Sequence, residues 1–512
     1  MKVSAKKAKR QEKHSMDSIK KKLLLCIAFC AIVGTMTAYG KKAYKLTQSM
    51  LDNAKGSFVV KKDYSAFGAV LYLPEHLELF FNGGSIDNAE LVGNHSTLHV
   101  KGRNPVFGKD IRISGVWDVE EVHDGWFEFE EGRDFLSNQL IQNMLAFSND
   151  STFCHLFFVE DRVYYFELPY KKNTRLGEGL SSYIGKDGKK KLRYSELYDD
   201  AHSFLRIFTI PSNTHVTLNS TLQMLPTHHG AYFVFWEYGK ENVTIEGSGI
   251  IAGDNKEHLY TLTFSGKQYY GEWGIVFQCF KCKNFIFRDI TIRDAFGDGI
   301  LFQGSYLKNE KSVRYADGLL VENVNIIGAR RNGIAIGARN VIIRNCHFEG
   351  CGTDAANGTL PRSAIDFESD GIKSYSEIGN QNVLMENCTF KDNYRDITSV
   401  RNNLEKYGQI ATTIRNCVFT NPLRLVATYW LRFENCYISS FANKNDDRSL
   451  LKDCKNITFE NCEFGKWDAG IPKKTTKNNN SYINCKFNTA KDNKRTGIIE
   501  RFKRIIRKYR NI

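Results

Sequence analysis

Proline is scarce in this sequence, and long apolar runs are almost absent. Eight prolines in 512 residues exclude a proline-rich linker protein, and 40 glycines are far too few for a collagen. No glycine motif for binding phosphate or a dinucleotide occurs, so we expect no nucleotide cofactor. The 42% of hydrophobic residues excludes global disorder. The 41 asparagines are typical of many strands joined by tight turns.

Excess positive charge is confined to the two ends of the chain. The formal net charge is +14, of which residues 1–22 carry +7 and residues 495–512 carry +6. The rest is nearly neutral, so the sequence predicts no nucleic-acid partner. Apolar residues at helical spacing predict a basic amphipathic helix over 495–512. Two roles fit this helix: capping the end of the fold, or lying on an anionic membrane.

The basic N-terminus precedes an apolar run from Leu23 to Ala38. This run is shorter than the ~20 residues that a transmembrane helix needs, and it is typical of a signal-peptide core. Residues 1–40 are therefore predicted to be a signal peptide, or a membrane anchor formed by residues 23–39. In both cases we expect export to the periplasm, the cell surface or the medium.

One short phrase recurs through the second half of the chain. Alternating apolar residues are followed by Asn-Cys and an aromatic or aliphatic residue, as in VIIRNCHF at 341–348 and ITFENCEF at 457–464. The asparagines of this phrase are Asn323, Asn345, Asn387, Asn416, Asn435, Asn461 and Asn484. Most of their spacings are near 20–30 residues. This repeat length, with period-two alternation, predicts a solenoid of stacked strands.

Stacking gives each repeated residue an expected role. Equivalent positions on adjacent coils lie ~4.8 Å apart. Each asparagine amide should therefore donate to one neighbour and accept from the other in a buried ladder. The cysteine that follows should stack as a small apolar residue. We expect the eleven cysteines beyond the leader to be mostly free thiols, because an in-register stack does not favour disulfide geometry.

Several further phrases give the sequence a family resemblance. They are LPEHLELFFNGGSIDNAELVGN at 73–94, IIAGDNKEH at 250–258, GEWGI at 271–275, GDGI at 297–300, RRNGIAI at 330–336 and SAIDFESD at 363–370. With the repeats, the sequence resembles the pectate-lyase-like superfamily, and within it an exported bacterial group with GGS-x-x-N and GID-x-E motifs. The resemblance implies an all-β, right-handed, single-stranded parallel β-helix with short capping helices. It implies no single reaction, because the superfamily includes hydrolases, lyases, epimerases and non-catalytic modules.

Composition divides the chain after the leader into four segments. Residues 41–64 predict a linker, and residues 65–204 predict N-terminal coils with an inserted helix over 133–148 and a surface loop. Residues 205–490 predict the main β-helix, which the helix over 495–512 follows. The 133–148 helix is expected to cover a sheet edge or to connect two strand regions.

Alignment of the glycine–isoleucine phrases places charged residues on one outer wall. The residues expected to stack inward are Ile275, Ile300, Ile334 and Ile365. Those expected to face outward next to them are Val276, Leu301, Ala335 and Asp366. Asp298, Asp366 and Glu368 are the predicted catalytic residues, on an open floor of glycine and alanine. Asp366 and Glu368 lie ~6.5–7 Å apart by backbone rise, which suits paired carboxylates in sugar hydrolysis.

Further residues near this wall are predicted to bind substrate: Asp254, His258, Glu272, Trp273, Arg331, Asn332 and Arg362. Asp254 and His258 are placed to orient hydroxyls, and Trp273 to stack on a sugar ring. Arg331 is placed to pair with acidic groups. The competing interpretation is a solvated strand face with ordinary ion pairs, in which Asp254 and His258 form a turn cap.

The sequence thus predicts an exported carbohydrate-active protein that acts on a polysaccharide or glycan. Cleavage of glycosidic bonds is favoured, by hydrolysis or as a lyase. A non-catalytic glycan-binding or structural β-helix and a uronate lyase or epimerase stay open. No cofactor or metal is expected for hydrolysis. A lyase would use Ca²⁺ bridging Asp366, Glu368 or Asp370 to a uronate, with Arg331 as base.

Overall fold

The computed structural model describes residues 43–169, 205–227, 232–258, 273–304, 315–368, 380–400, 407–441, 450–467 and 478–488. It also places the backbone of two short antiparallel pairs, Ser182–Ile184 with Lys190–Leu192 and Thr263–Phe264 with Lys267–Gln268. The predicted leader and the predicted helix over 495–512 lie outside these residues. No helix within the described ranges is long and apolar enough to cross a membrane.

An N-terminal unit precedes the main stack. Its parallel strands are Tyr44–Lys45, Ser57–Val60, Tyr64–Tyr72, Glu78–Phe81, Ile86–Val100 and Ile111–Trp117. The predicted linker over 41–64 is wrong, because residues 44–60 hold two of these strands and the helix Gln48–Asp52. Leu46, Leu51 and Val60 are buried there. These three apolar side chains tie an otherwise polar segment to the sheet.

Helix Asn138–Ala146 lies within the span where the sequence predicts one. It buries Ile141, Met144 and Leu145. The Asn143 side chain accepts a hydrogen bond from the amide of Ile113 (3.0 Å) and donates one to the carbonyl of Ile111 (3.0 Å). The helix therefore satisfies backbone groups of the strand Ile111–Trp117 in place of a further strand.

The main body is a right-handed parallel β-helix, which confirms the predicted all-β solenoid. Each coil passes through three sheets in turn. The first sheet contains Leu205–Phe208, Tyr232–Tyr238, Ile275–Phe280, Ile300–Gln303, the first half of Asn332–Arg344, Ser363–Glu368, Ile397–Val400, Leu423–Val426 and Leu450–Lys452. In each coil, a loop that we call the return corner connects the third sheet to the first sheet of the next coil, so there is one return corner per coil.

The other two sheets complete each coil. The second contains Glu121–His123, Cys154–Phe158, Thr214–Leu218, Glu241–Glu246, Lys283–Arg288, Ala316–Glu322, the second half of Asn332–Arg344, Gln381–Glu386, Thr412–Arg415, Leu431–Glu434, Thr458–Glu460 and Ser481–Ile483. The third contains Val163–Phe166, Thr221–Met224, Ile250–Ala252, Thr291–Arg293, Asn325–Ile327, His347–Glu349, Thr389–Lys391, Val418–Phe419, Tyr437–Phe441, Glu463–Trp467 and Lys486–Phe487.

The core between the three sheets is apolar, and stacked phenylalanines run through it. Phe235 lies on Phe277 with ring centroids 4.7 Å apart, and Phe348 lies on Phe390 at 5.1 Å. The eleven cysteines beyond residue 40 are free thiols, as predicted, and all except the half-buried Cys485 are buried. Burial of these apolar side chains is the main force that holds one coil on the next.

At the turn between the second and third sheets, side-chain hydrogen bonds join Asn387, Asn416 and Asn435 in one ladder and Asn461 with Asn484 in another, so the predicted ladder runs through part of the stack. Asn416 donates to Asn387 (3.2 Å) and accepts from Asn435 (3.3 Å). The ladder is partly exposed rather than buried as predicted, because the turn that carries it lies at the surface. All seven asparagines have φ between +50° and +56°. Asparagine tolerates this left-handed backbone better than other residues with a Cβ.

Replacing Asn416 by alanine should lower the free energy of unfolding by about 1–3 kcal/mol. The change removes both amide bonds and leaves a residue with a Cβ at φ +55°. Urea unfolding measures the effect. Asn416→Gly is the matched control: it also lacks the amide but adopts this backbone freely, so it should lose less. An alanine variant as stable as the parent would contradict the ladder's role.

Charged residues of alternating sign form a second ladder on the outer face of the second sheet. In order of coils, it contains Glu246, Arg288, Glu322, Arg344, Glu386, Arg415 and Glu434. Arg288 bonds to both Glu246 (2.9 Å) and Glu322 (3.0 Å). Each interior position therefore faces opposite charges on the coils above and below it.

The alternation ends at Glu434, which pairs with Glu460 on the next coil. Arg432 forms ion pairs with both of these carboxylates. This arginine supplies the positive charge that the ladder lacks at that step.

Candidate functional site

The outer wall of the first sheet differs from the prediction at one coil. Ile300 pairs with Phe277 and not with Ile275, so that coil is shifted by two residues. Gln278 takes the outward position that was predicted for Val276, and Val276 belongs to the main core. The coils that follow have the predicted register.

In that register Ile300, Ile334 and Ile365 stack inward. Asp366 follows the small side chain of Ala335 on the outer face. The charged residues are thereby placed on adjacent coils, as the alignment of the phrases predicted.

Arg331 joins two of the predicted catalytic carboxylates from different coils. Its guanidinium donates to Asp298 Oδ2 (2.6 Å) and to Glu368 Oε1 (3.3 Å). Asp298 Oδ1 accepts the backbone amide of Asn332 (3.0 Å), and Gln303 Nε2 donates to Glu368 Oε2 (2.8 Å). We call these five residues the charged cluster. The sequence predicted Asp298, Arg331, Asp366 and Glu368 on one wall; the cluster contains Asp298, Arg331 and Glu368 of these, together with Asn332 and Gln303.

Gly337 makes the contact between Gln303 and Glu368 possible. Gln303 pairs with Gly337 on the next coil, and Glu368 follows on the coil after that. A Cβ on Gly337 would lie 3.2 Å from Gln303 Cγ and 2.6 Å from the carbonyl oxygen of Glu368. The amide of Gln303 therefore crosses an empty position to reach the carboxylate two coils away.

The wall is covered more than the sequence predicted. Asp298 is completely buried and Asp366 is 2% exposed, whereas 19% of the Glu368 side chain is exposed. The predicted open floor is wrong, because Ala335 is fully buried in a second apolar cluster on the outer face. The return corner between the strands His347–Glu349 and Ser363–Glu368 also covers the outer wall. Its Leu360 carbonyl accepts a hydrogen bond from Arg331 Nε (3.3 Å).

Burial sets the protonation of Asp298. The pKa of this carboxyl is raised to about 6: burial raises it most, Arg331 and Asn332 lower it, and the nearby Glu368 carboxylate raises it. Asp298 therefore exchanges its proton close to neutral pH. A carboxyl with this behaviour beside a guanidinium and a second carboxylate is an arrangement that acid–base catalysis uses.

Asp254 and His258 lie together in a separate buried group. Asp254 is hydrogen-bonded to His258 Nδ1 (2.8 Å), to the amide of Thr227 (3.0 Å) and to the Tyr232 hydroxyl. The Asp254 side chain is fully buried and that of His258 is 2% exposed, so neither meets a ligand in this structure. These contacts agree with the competing interpretation of a turn cap.

Phe296 connects this group to the charged cluster. The His258 ring stacks on Phe296 with centroids 3.7 Å apart, and the Arg330 guanidinium lies 4.0 Å from the same ring centroid. Phe296 is two residues before Asp298. The two groups therefore adjoin at one return corner.

The remaining predicted residues fall in different places. Arg362 donates to the Gly352 carbonyl (2.6 Å) and lies over the Tyr394 ring (3.9 Å). It therefore stabilises the return corner, and its contacts among the described residues lie apart from the charged cluster. Trp273 packs on the outer apolar cluster. Glu272 lies outside the described residues.

Aromatic residues that the sequence analysis missed extend the outer wall toward the N-terminus. Trp236 packs on Phe280 with ring centroids 5.7 Å apart, and Arg206 lies 4.0 Å from the Trp236 ring centroid. The Tyr238 residue is 38% exposed. Trp236 stands four strands from Asp366 in the same outward column, about 19 Å at ~4.8 Å per strand. The two-residue spacing of Trp236 and Tyr238, which puts both on one face of the strand, was the signal available in the sequence.

The described residues contain no group of three His, Cys, Asp or Glu side chains that could hold a metal ion. Asp370, one of the three carboxylates considered for Ca²⁺, lies outside those residues. Asp298, Arg331 and Glu368 form a hydrogen-bonded group of the kind that can transfer a proton.

Comparison with known proteins gives a family match and two curated relatives. The family model "Right handed beta helix region" matches residues 273–429. The uncharacterized Bacillus subtilis protein YclG is 30% identical over 202 residues, which are 39% of this chain and 33% of YclG. The SPbeta prophage-derived uncharacterized protein YorA, also from B. subtilis, is 27% identical over 191 residues, 36% of this chain and 32% of YorA. The match thus spans about a third of each relative's length.

Among solved structures, the chain is similar to the tailspike protein of E. coli bacteriophage HK620 in complex with a pentasaccharide. The identity is 9%, the TM-score is 0.41, and the match covers 72% of this chain and 63% of the tailspike. A double mutant of the same tailspike gives a TM-score of 0.43. The three stacked parallel sheets and the family match over 273–429 together identify the chain as a right-handed parallel β-helix protein.

Proposed function

We propose that the protein is exported, binds a polysaccharide along the outer wall of the first sheet and cleaves its glycosidic bonds. The charged cluster is the observation that carries this proposal. It joins a buried carboxyl of raised pKa, a guanidinium and a partly exposed carboxylate across successive coils. The aromatic residues Trp236 and Tyr238 on the same wall supply faces on which sugar rings stack.

Each member of the site has a proposed role. Glu368 meets the substrate as the general base, because it is the most exposed carboxylate of the wall. Asp366 is on the same strand and side, ~6.6 Å away by backbone rise, and is the proposed proton donor. Arg331 and Gln303 are positioning residues that hold the Glu368 carboxylate. Asp298 is a positioning residue that acts through Arg331.

Turnover by the parent protein should fall as the pH drops through about 6. Protonation of Asp298 removes one of two negative charges facing Arg331, so the guanidinium then neutralises Glu368 more fully and weakens it as a base. Asp298→Asn mimics the protonated form. Its rate should stay low at neutral pH and show no inflection near pH 6. A pH–rate profile of kcat measures this, and an unchanged inflection in the variant would rule out the role of Asp298.

A substrate screen tests the proposed activity itself. The purified full-length chain is incubated with neutral and acidic polysaccharides of defined composition. Hydrolysis appears as new reducing ends, and lyase cleavage appears as an unsaturated uronate product that absorbs in the ultraviolet. New reducing ends without unsaturated product support the proposal. Unsaturated product would show that the protein cleaves the polymer as a lyase and not as a hydrolase.

Binding without cleavage is the second candidate function. The burial of Asp298 and Asp366 favours it, since a carboxyl that no solvent reaches does not meet substrate in this conformation. Retention of the protein by a glycan matrix, with no cleavage of any polymer in the screen, would establish this alternative.

Cell fractionation tests export: a protein found only in the cytoplasm would overturn that part of the proposal.

A further inference from the structure

A groove of about 910 Å³ opens on the N-terminal unit. Its floor includes the phrase Asn82-Gly83-Gly84-Ser85, and its walls come from three successive strands and the loop over 101–108. The charged cluster contributes nothing to its lining. We call this cavity the N-terminal groove, and its volume is within the range of ligand sites.

Phe67 projects at the rim of the N-terminal groove. This phenylalanine is 66% exposed although it belongs to the strand Tyr64–Tyr72. Its φ is +54°, in the left-handed region that bulky side chains avoid. The pairing of this strand with Ile86–Val100 shifts register at the same point, between Ser65 and Ala69. The fold therefore holds an aromatic ring in solvent through a strained backbone, a feature that often marks function.

Polar side chains in the groove are held in place by glycines and by hydrogen bonds. Asp87 lies so close to Gly108 that a Cβ there would be 2.1 Å from the carboxyl carbon of Asp87. The carboxylate of Asp87 also accepts the amide of Asp110 (3.0 Å). Ser85 donates to Asp63 across the floor (2.9 Å). These carboxylates are fixed before any ligand arrives, which reduces the entropy cost of binding.

We propose that the N-terminal groove is a second carbohydrate-binding site, separate from the charged cluster, and that it takes an uncharged glycan. Phe67 offers a flat apolar face for a sugar ring. Asp63, Asp87 and Glu128 accept hydrogen bonds from hydroxyls. Among the described residues of the lining, Lys101 is the one basic side chain against these three carboxylates, so this part of the groove is net negative and disfavours uronates and sulfated sugars.

Native affinity electrophoresis of the full-length chain tests this site. The gels contain one of three uncharged polymers (mixed-linkage β-glucan, galactomannan or xyloglucan) or polygalacturonate as an acidic polymer. At least one uncharged polymer should retard the parent protein, and polygalacturonate should retard it less. Phe67→Ala should weaken the apparent affinity about tenfold, the scale expected for an aromatic contact.

Phe67→Gly separates binding from folding. Glycine adopts a φ of +54° freely, so this variant should melt at or above the parent temperature while its affinity falls as far as that of Phe67→Ala. Tyr72→Ala is the matched control, because Tyr72 is 63% exposed on the same strand and does not line the groove. It should bind as the parent does.

Three results would overturn the inference: no retardation by any uncharged polymer, stronger retardation by polygalacturonate than by every uncharged polymer, or parental affinity in Phe67→Gly. Glu368→Gln distinguishes this inference from the proposed function. If the groove binds, this variant keeps its retardation. If Glu368→Gln abolishes retardation and Phe67→Gly does not, the glycan binds at the charged cluster and the N-terminal groove is not a site.

Discussion

Glu368→Gln should lower turnover by about two orders of magnitude or more, the usual scale for the loss of a general base. The substitution keeps the size of the side chain and leaves one oxygen to accept from Gln303 or Arg331. It removes the negative charge and the ability to take a proton. Because about a fifth of the side chain is exposed, folding should change little. kcat and the melting temperature are measured together on a polymer that the parent cleaves.

A matched carboxylate on another sheet controls for the loss of charge. Glu349 is partly exposed on the third sheet, and it also carries a cationic partner, Lys391. Glu349→Gln should keep parental turnover. Equal turnover in Glu368→Gln and Glu349→Gln would show that the charged cluster takes no part in the reaction.

Glu237→Gln should make the protein more stable at alkaline pH and change little at pH 5. Glu237 is completely buried in the strand Tyr232–Tyr238. Its Oε1 accepts the Ile210 amide (2.8 Å), and its Oε2 has no hydrogen-bond partner among the described residues. Burial raises the pKa of this carboxyl to about 8, from an ordinary value of 4.5.

The sign of the effect follows from proton uptake. Between about pH 4.5 and 8 the unfolded chain ionises Glu237 while the folded protein keeps the proton, so the parent loses stability as the pH rises. The loss approaches ~1.4 kcal/mol per pH unit within this interval. Glutamine does not titrate. The stability difference between variant and parent should therefore grow from pH 5 to pH 8.5.

Urea unfolding at pH 5, 7 and 8.5 measures this difference. Glu241→Gln is the control, because Glu241 is a half-buried residue near Glu237 in the sequence that pairs with Lys283. Its difference from the parent should stay within about 0.5 kcal/mol at all three pH values. A Glu237→Gln difference that does not change with pH would mean that Glu237 is ionised in the folded protein.

The coil spacing was readable from the second half of the sequence because the coils there repeat the same chemistry at this turn. Asn416, for example, has a left-handed backbone and an amide partner on each side. Both requirements favour asparagine, which therefore recurs at this position of the repeat. The register at Ile275 was not readable. Its Gly-Ile phrase matches those of later coils, but the strand it begins pairs two residues further on. A short phrase identifies a strand better than it fixes the pairing of that strand.

The burial of the site was also hidden from sequence analysis. Asp298 and Arg331 lie near each other, as the alignment of the phrases predicted, because each stands just before a strand and these strands pair on adjacent coils. Their coverage depends on the path of the return corner, where Leu360 accepts from Arg331. Such a loop has no periodic pattern. The strands and the helix over 44–60 were not predicted for a similar reason: Leu46 and Leu51 are isolated apolar residues in a polar stretch.

Because charges alternate from coil to coil on the second sheet, the effect of adding or removing coils depends on whether their number is odd or even. Excising the coil that carries Arg344 would bring Glu322 against Glu386, two like charges in direct opposition. Excising two consecutive coils would instead bring Glu322 against Arg415 and preserve the pattern. Lengthening or shortening of this solenoid is therefore tolerated in even steps. Odd steps require an added arginine of the kind that Arg432 provides.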